Sequence, residues 1–205
     1  RSGGFVYNGA PGISFTQLAN PNLQWERNET VNFGVDFGLF RNRISGSVEV
    51  YNKLTKELLL SQPVQQTTGF SDVTKNIGQV RNRGIELTLT VDWLRSNLGQ
   101  GLGWSTTFVF TNNKNQVVGL YDGLQELPGN PAIRVGRELN SIFTQKYAGV
   151  NPATGRPMWY DAAGNLTYQV LAADRVYIGD QQPNQFGGLS NTLSWKGFTL
   201  DVFFN

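Results

Sequence analysis

The clearest feature of the chain is strict alternation of apolar and polar residues. Over residues 30–39, Val31, Phe33, Val35, Phe37 and Leu39 share one parity, while Thr30, Asn32, Gly34, Asp36 and Gly38 share the other. Successive side chains of a strand point to opposite faces, so this pattern predicts a half-buried β-strand. Phe40, Arg41, Asn42 and Arg43 then make a tight turn into a strand over residues 44–53, with Ile44, Val48 and Val50 on one face. The two strands read as a hairpin. A second pair follows, in which Ile85, Leu87, Leu89, Val91 and Trp93 alternate with Glu86, Thr88, Thr90 and Asp92. A glycine-rich turn over residues 97–103 leads to residues 104–113, where Trp104, Phe108 and Phe110 alternate with Ser105, Thr107 and Thr111. The third pair joins residues 186–195 to 198–205 across Lys196 and Gly197. Residues 5–7 allow a seventh strand.

The connections between the hairpins are long, over about 54–79 and 114–185, and they hold most of the prolines. Turn signals stand at Asn151-Pro152-Ala153-Thr154-Gly155 and Ala163-Gly164-Asn165. No amphipathic helical period stands out, so the class is all-β.

Alternation fits two architectures. A soluble β-sandwich buries its apolar face between sheets, whereas a membrane barrel turns the same face to lipid. Three details favour the barrel. The strands approach ten residues, as a tilted membrane strand needs. Connections alternate between short and long, as in barrels with tight periplasmic turns and extended outer loops. Phe40, Trp93, Trp104, Trp195 and Phe198 all flank the short turns, where they would form one interfacial girdle. In addition, Asp36, Glu49, Glu86, Asp92 and Asp201 all lie opposite the apolar rows, on what would be a wet lumen.

Composition narrows the chemistry. The 205 residues contain no Cys and no His. Disulfides, thiol nucleophiles, Cys-ligated metals, Ser-His-Asp triads and HExxH zinc sites are therefore excluded, though carboxylate-only enzymes are not. Lys and Arg are scattered, and a net charge of +2 gives no nucleic-acid footprint. No run of 18 apolar residues offers a membrane helix. Residues 198–205 alternate right up to the last position, which suggests a segment cut from something longer.

Several runs together carry a family resemblance. They are Asn20-Pro21-Asn22-Leu23-Gln24-Trp25-Glu26, Asn32-Phe33-Gly34-Val35-Asp36-Phe37-Gly38-Leu39-Phe40, and Ile44-Ser45-Gly46-Ser47-Val48-Glu49-Val50-Tyr51-Asn52-Lys53. Further runs are Thr68-Gly69-Phe70, Asn76-Ile77-Gly78-Gln79-Val80-Arg81-Asn82-Arg83-Gly84-Ile85-Glu86-Leu87 and Lys146-Tyr147-Ala148-Gly149-Val150-Asn151-Pro152-Ala153-Thr154-Gly155. Ile178-Gly179-Asp180 and Gly187-Gly188-Leu189-Ser190-Asn191-Thr192 complete the set. In order and spacing they resemble the C-terminal barrel of SusC/RagA-type TonB-linked outer-membrane transporters.

The resemblance implies an antiparallel transmembrane β-barrel segment, part of a plugged barrel of about 22 strands. Residues 1–205 would be a partial barrel domain, with the plug, the TonB-contacting segment and the final strands outside it. It implies import of oligosaccharides or peptides across the outer membrane of a Gram-negative, Bacteroidetes-like cell. The implied partners are a SusD-like lipoprotein, TonB through absent parts of the chain, outer-membrane lipid and the substrate. No cofactor, metal, nucleic acid or catalytic step is implied.

Individual residues carry alternatives. Trp93, Trp104 and Trp195 read as interfacial anchors or as core tryptophans of a sandwich. Trp159, Tyr160, Tyr168 and Tyr177 in the longest connection could stack on sugar rings or peptide side chains, or serve only to fold that loop. Asp161-Ala162-Ala163-Gly164-Asn165 lacks the alternating oxygens of a calcium loop and reads as a hairpin turn. Arg41, Arg43, Arg81 and Arg83 read as solvated turn and strand-end charges. Gly99-Gln100-Gly101-Leu102-Gly103 has no strand–helix context for a dinucleotide. A secreted β-sandwich carbohydrate-binding module is the alternative function. A carboxylate-only glycoside hydrolase would further require two facing acids in one cleft.

Overall fold

The computed structural model describes residues 2–7, 10–15, 18–95 and 101–205. Its strands in chain order are β1 (Ser2–Tyr7), β2 (Ala10–Phe15), β3 (Arg27–Leu39), β4 (Ile44–Pro63), β5 (Asp72–Leu94) and β6 (Leu102–Leu120). Short strands follow: β7 (Glu126–Leu127), β8 (Asn130–Arg134), β9 (Ser141–Gln145), β10 (Tyr147–Val150), β11 (Pro157–Tyr160), β12 (Leu166–Thr167) and β13 (Arg175–Asp180). Long strands resume with β14 (Gln185–Trp195) and β15 (Phe198–Phe204). One six-stranded sheet has the order β15-β14-β6-β5-β4-β3, which places each expected hairpin pair side by side. β6 and β14 pair antiparallel with Phe108 opposite Leu189 and Trp104 opposite Leu193.

The strands are longer than alternation indicated. β4 continues to Pro63 and β5 starts at Asp72, so only residues 64–71 separate them. The Ser61 hydroxyl donates to Asp72 at 2.6 Å, and the Val64 N–H donates to the Ser71 carbonyl at 3.0 Å, which closes the turn. Glu57 has a φ of 57°, a left-handed residue inside β4 that breaks the period of two. That break hid the second half of the strand. The glycine-rich turn over 97–103 falls mostly outside the described residues, as do Gly99 and Gln100.

The chain divides into two compact units. One comprises Arg1–Arg27, Thr55–Val80 and Gln116–Gln182; the other comprises Asn28–Leu54, Arg81–Asn115 and Pro183–Asn205. Every buried apolar side chain among the described residues belongs to the first, including Ile77, Val80, Val117, Leu120, Leu127 and Ile133. Within it the Asn20–Glu26 run is strapped by side-chain bonds. Asn76 accepts from the Gln24 N–H at 2.9 Å and donates to the carbonyls of Gln24 at 2.9 Å and Glu57 at 2.8 Å. Glu26 accepts from the Leu59 N–H at 2.9 Å.

The second unit is a sheet without a core. Val31 is 71% exposed and Phe33 69%. Leu39, Ile85, Trp93, Phe108 and Leu200, all on the same face, are exposed as well. A sandwich would cover this row with a second sheet; within this unit the described residues supply none. The opposite face is laced by polar contacts. Thr90 and Thr107 share a hydrogen bond at 3.1 Å, Asn115 donates to Asn82 at 2.8 Å, and Thr192 donates to Asp201 at 2.6 Å. Tyr51 crosses Gly84, where a Cβ would lie 2.6 Å from its hydroxyl, and donates to Asn113 at 3.0 Å. One face is apolar and uncovered, the other polar and self-bonded, which is the division a membrane barrel wall requires.

Candidate functional site

The five turn-flanking aromatics gather at the short connections. β14 and β15 meet in a two-residue turn, with Trp195 opposite Phe198 and φ of 45° at Lys196 and 86° at Gly197. Two left-handed residues in succession suit the twist of paired strands. The Lys196 ammonium lies 5.1 Å from the centre of the Trp195 ring. Trp93 and Trp104 lie 5.7 Å apart; the Trp93 indole donates to Thr106 at 3.0 Å and the Trp104 indole to Asn191 at 3.3 Å. Thr106 and Asn191 are polar residues on the apolar face, held together at 2.7 Å. Phe40 is 74% exposed.

The turn carrying Phe40 reveals a residue that alternation could not mark. Phe40, Arg41 and Asn42 all have positive φ, at 51°, 56° and 59°. Each such non-glycine costs about 1 kcal/mol. Arg95 donates to the carbonyls of Arg41 at 3.0 Å and Asn42 at 2.6 Å, and its Nε donates to Asp92 at 3.0 Å. A guanidinium with several donors can satisfy two turn carbonyls and a carboxylate together.

The long connection between β6 and β14 is built from hairpins. β10, β11 and β12 form a three-stranded sheet in which Trp159 pairs with Tyr147 on one side and Thr167 on the other. The Tyr147 and Trp159 rings meet edge to face at 6.0 Å, and Tyr147 is more than half exposed. Trp159 and Tyr160 are consecutive in β11, so their side chains leave opposite faces. Tyr160 receives the Lys146 ammonium at 5.3 Å. Tyr168, just past β12, is 41% exposed, takes a hydrogen bond from the Asn151 amide and has the Arg156 guanidinium 4.6 Å from its ring centre.

Tyr177 stands apart, on β13 in a sheet with β9. Its ring meets Phe143 at 4.7 Å and Arg137 at 4.6 Å, and its hydroxyl donates to the Pro131 carbonyl at 2.6 Å. The four expected loop aromatics therefore do not converge on one face. Tyr147, Lys146 and Arg156 join them, brought in by strand pairing and ring contacts that local pattern does not mark.

Two carboxyl groups in these loops have shifted affinities for protons. Asp161 accepts the backbone N–H of Asn165 at 2.8 Å and of Ala163 at 2.9 Å, and these bonds hold its carboxyl below the usual range. With β11 and β12 paired on either side, residues 161–165 are the expected hairpin turn. Burial pushes the Glu138 carboxyl up, and nearby Asp180 pushes it further. Glu138 is 5% exposed, and its Oε2 has no hydrogen-bond partner.

Comparisons place this geometry among known proteins. The model of the family described as TonB dependent receptor-like, beta-barrel, matches residues 1–205. TonB-dependent receptor P39 of Formosa agariphila is 37% identical over 250 residues, covering 98% of this chain and 24% of the relative. TonB-dependent receptor SusC of Bacteroides thetaiotaomicron is 28% identical over 197 residues, covering 87% and 19%. Among solved structures, the RagAB peptide transporter superposes with a TM-score of 0.81 at 30% identity, covering 99% of this chain and 23% of that one. The chain thus spans about a quarter or less of these proteins.

Proposed function

Because the chain belongs to the TonB dependent receptor-like β-barrel family, we propose that it forms wall and outer loop surface of an energy-coupled nutrient importer. Barrels of this family sit in the outer membrane, and the uncovered apolar face of the second unit meets its lipid. The full protein binds an oligosaccharide or peptide at its outer face, with a SusD-like lipoprotein as lid. TonB acts on a plug beyond this segment to open the lumen. The segment carries no catalytic step.

The observation that supports import most directly is the close superposition on the RagAB peptide transporter over almost the whole segment. The β10–β12 sheet offers the substrate surface, with Tyr147 and Trp159 as an aromatic pair on it. Stacking of this kind contributes about 1 kcal/mol per ring. Replacing Tyr147 and Trp159 by Ala in the full-length transporter should therefore lower uptake of a labelled oligosaccharide or peptide mixture about tenfold or more. The amount of folded barrel in the outer membrane should not change. Full uptake by the double variant would move the substrate surface elsewhere, and uptake independent of TonB would end the importer reading.

A further inference from the structure

Arg81 and Arg83 read from sequence as strand-end charges, but both lie inside β5, and Lys114 lies inside β6. The Thr90–Thr107 and Asn82–Asn115 contacts keep one register between these strands on the polar face. That register sets Arg83 directly across from Lys114, with Arg81 two residues along on the same face. Their parity is that of Ile85, Leu87, Leu89 and Phe108, so all three belong to the lipid-facing row. Arg83 and Lys114 are exposed. None of the three has an ion pair among the described residues, and the Arg81 Nε is buried without a hydrogen-bond partner. Like charges directly opposed across a sheet repel. Three cations held together on an uncovered face fit an anion that comes from outside the chain.

Their depth identifies its source. Arg83 lies ten residues from Trp93 and Lys114 ten residues from Trp104. At about 3.3 Å per residue and a tilt of about 40°, ten residues climb about 25 Å, the height of the apolar band of a membrane barrel. On the barrel reading proposed above, on which this inference rests, the tryptophans flank the short periplasmic turns, so the cations reach the headgroups of the outer leaflet. We propose that Arg81, Arg83 and Lys114 hold the phosphate of an outer-leaflet lipid against the barrel wall. Guanidinium forks match phosphate oxygens, and the ammonium adds a point charge.

The test uses the full-length transporter in mild detergent, with lipid adducts counted by native mass spectrometry after adding bis-phosphorylated lipid A. The wild type should retain the lipid, and the double variant Arg83→Gln, Lys114→Gln should retain about thirtyfold less. Lys53→Gln, on the opposite face, should leave retention unchanged. Folding is checked by heat-modifiable migration; if the double variant does not fold, Lys114→Gln alone should show a loss of about fivefold. Three results would overturn the proposal. They are equal retention by the variants, equal retention of dephosphorylated lipid A, or binding of inorganic phosphate alone as tight as that of the lipid, which would make this a soluble-anion site.

Discussion

The apolar row of β5 allows the lipid-facing assignment to be tested at single-residue depth. Leu89 lies four residues from Trp93, so it stands about 10 Å above the aromatic girdle, close to the middle of a band about 25 Å tall. An Arg at that depth costs about 2–4 kcal/mol, a factor of about 30 to 1,000 in the folding equilibrium. Arg in place of Trp93, at the interface, costs about 0–1 kcal/mol. Thr90 is the neighbour on the other face, where it shares a hydrogen bond with Thr107 at 3.1 Å. Thr90→Arg loses that bond, worth about 1 kcal/mol, and puts the guanidinium in the lumen. Reversible urea unfolding of the full-length barrel in phospholipid vesicles would give all three values. The expected order of damage is Leu89→Arg, then Thr90→Arg and Trp93→Arg together. A sandwich core would penalise Arg at 89 and 93 alike. Equal losses at those two positions, or a larger loss at Thr90, would refute the assignment.

Two further outcomes follow from the loops and turns. Arg95→Ala should remove the clamp on the left-handed Phe40–Asn42 turn and cost about 1–2 kcal/mol, discounted because the side chain is partly exposed; the urea midpoint should fall without a change of slope, and an unmoved midpoint would make the clamp incidental. Folding raises the Glu138 carboxyl, so its stabilisation is complete below the ordinary carboxylate range and is lost as pH rises through the folded value. Glu138→Gln keeps the shape without ionising, so it should flatten the rise in protease cleavage of residues 135–141 that the wild type is expected to show as pH climbs above the ordinary carboxylate range. An unchanged pH profile would show that Glu138 does not govern the turn.

Strand parity alone carried much of this architecture. Val31 through Leu39, Ile85 through Trp93 and the Lys196–Gly197 turn were legible because side-chain alternation and turn chemistry are local properties of the backbone. The aromatic positions beside the turns were legible for the same reason. The length of β4 was not, since one left-handed residue at Glu57 shifts the parity of the rest of that strand. Nor was the pairing of β6 with β14, whose partners are separated by the whole run of short hairpins.

Whether the apolar row faced lipid or a second sheet was also beyond local pattern, because both surroundings reward the same alternation. Tertiary structure bears on it by leaving Val31 and Phe33 uncovered and placing every buried apolar side chain of the described residues in the other unit, which supports the lipid-facing reading proposed above. It likewise moved Arg81 and Arg83 from a strand end into β5, at the parity of its apolar row. Parity fixes which residues share a face, but only the packing of distant strands decides what that face meets.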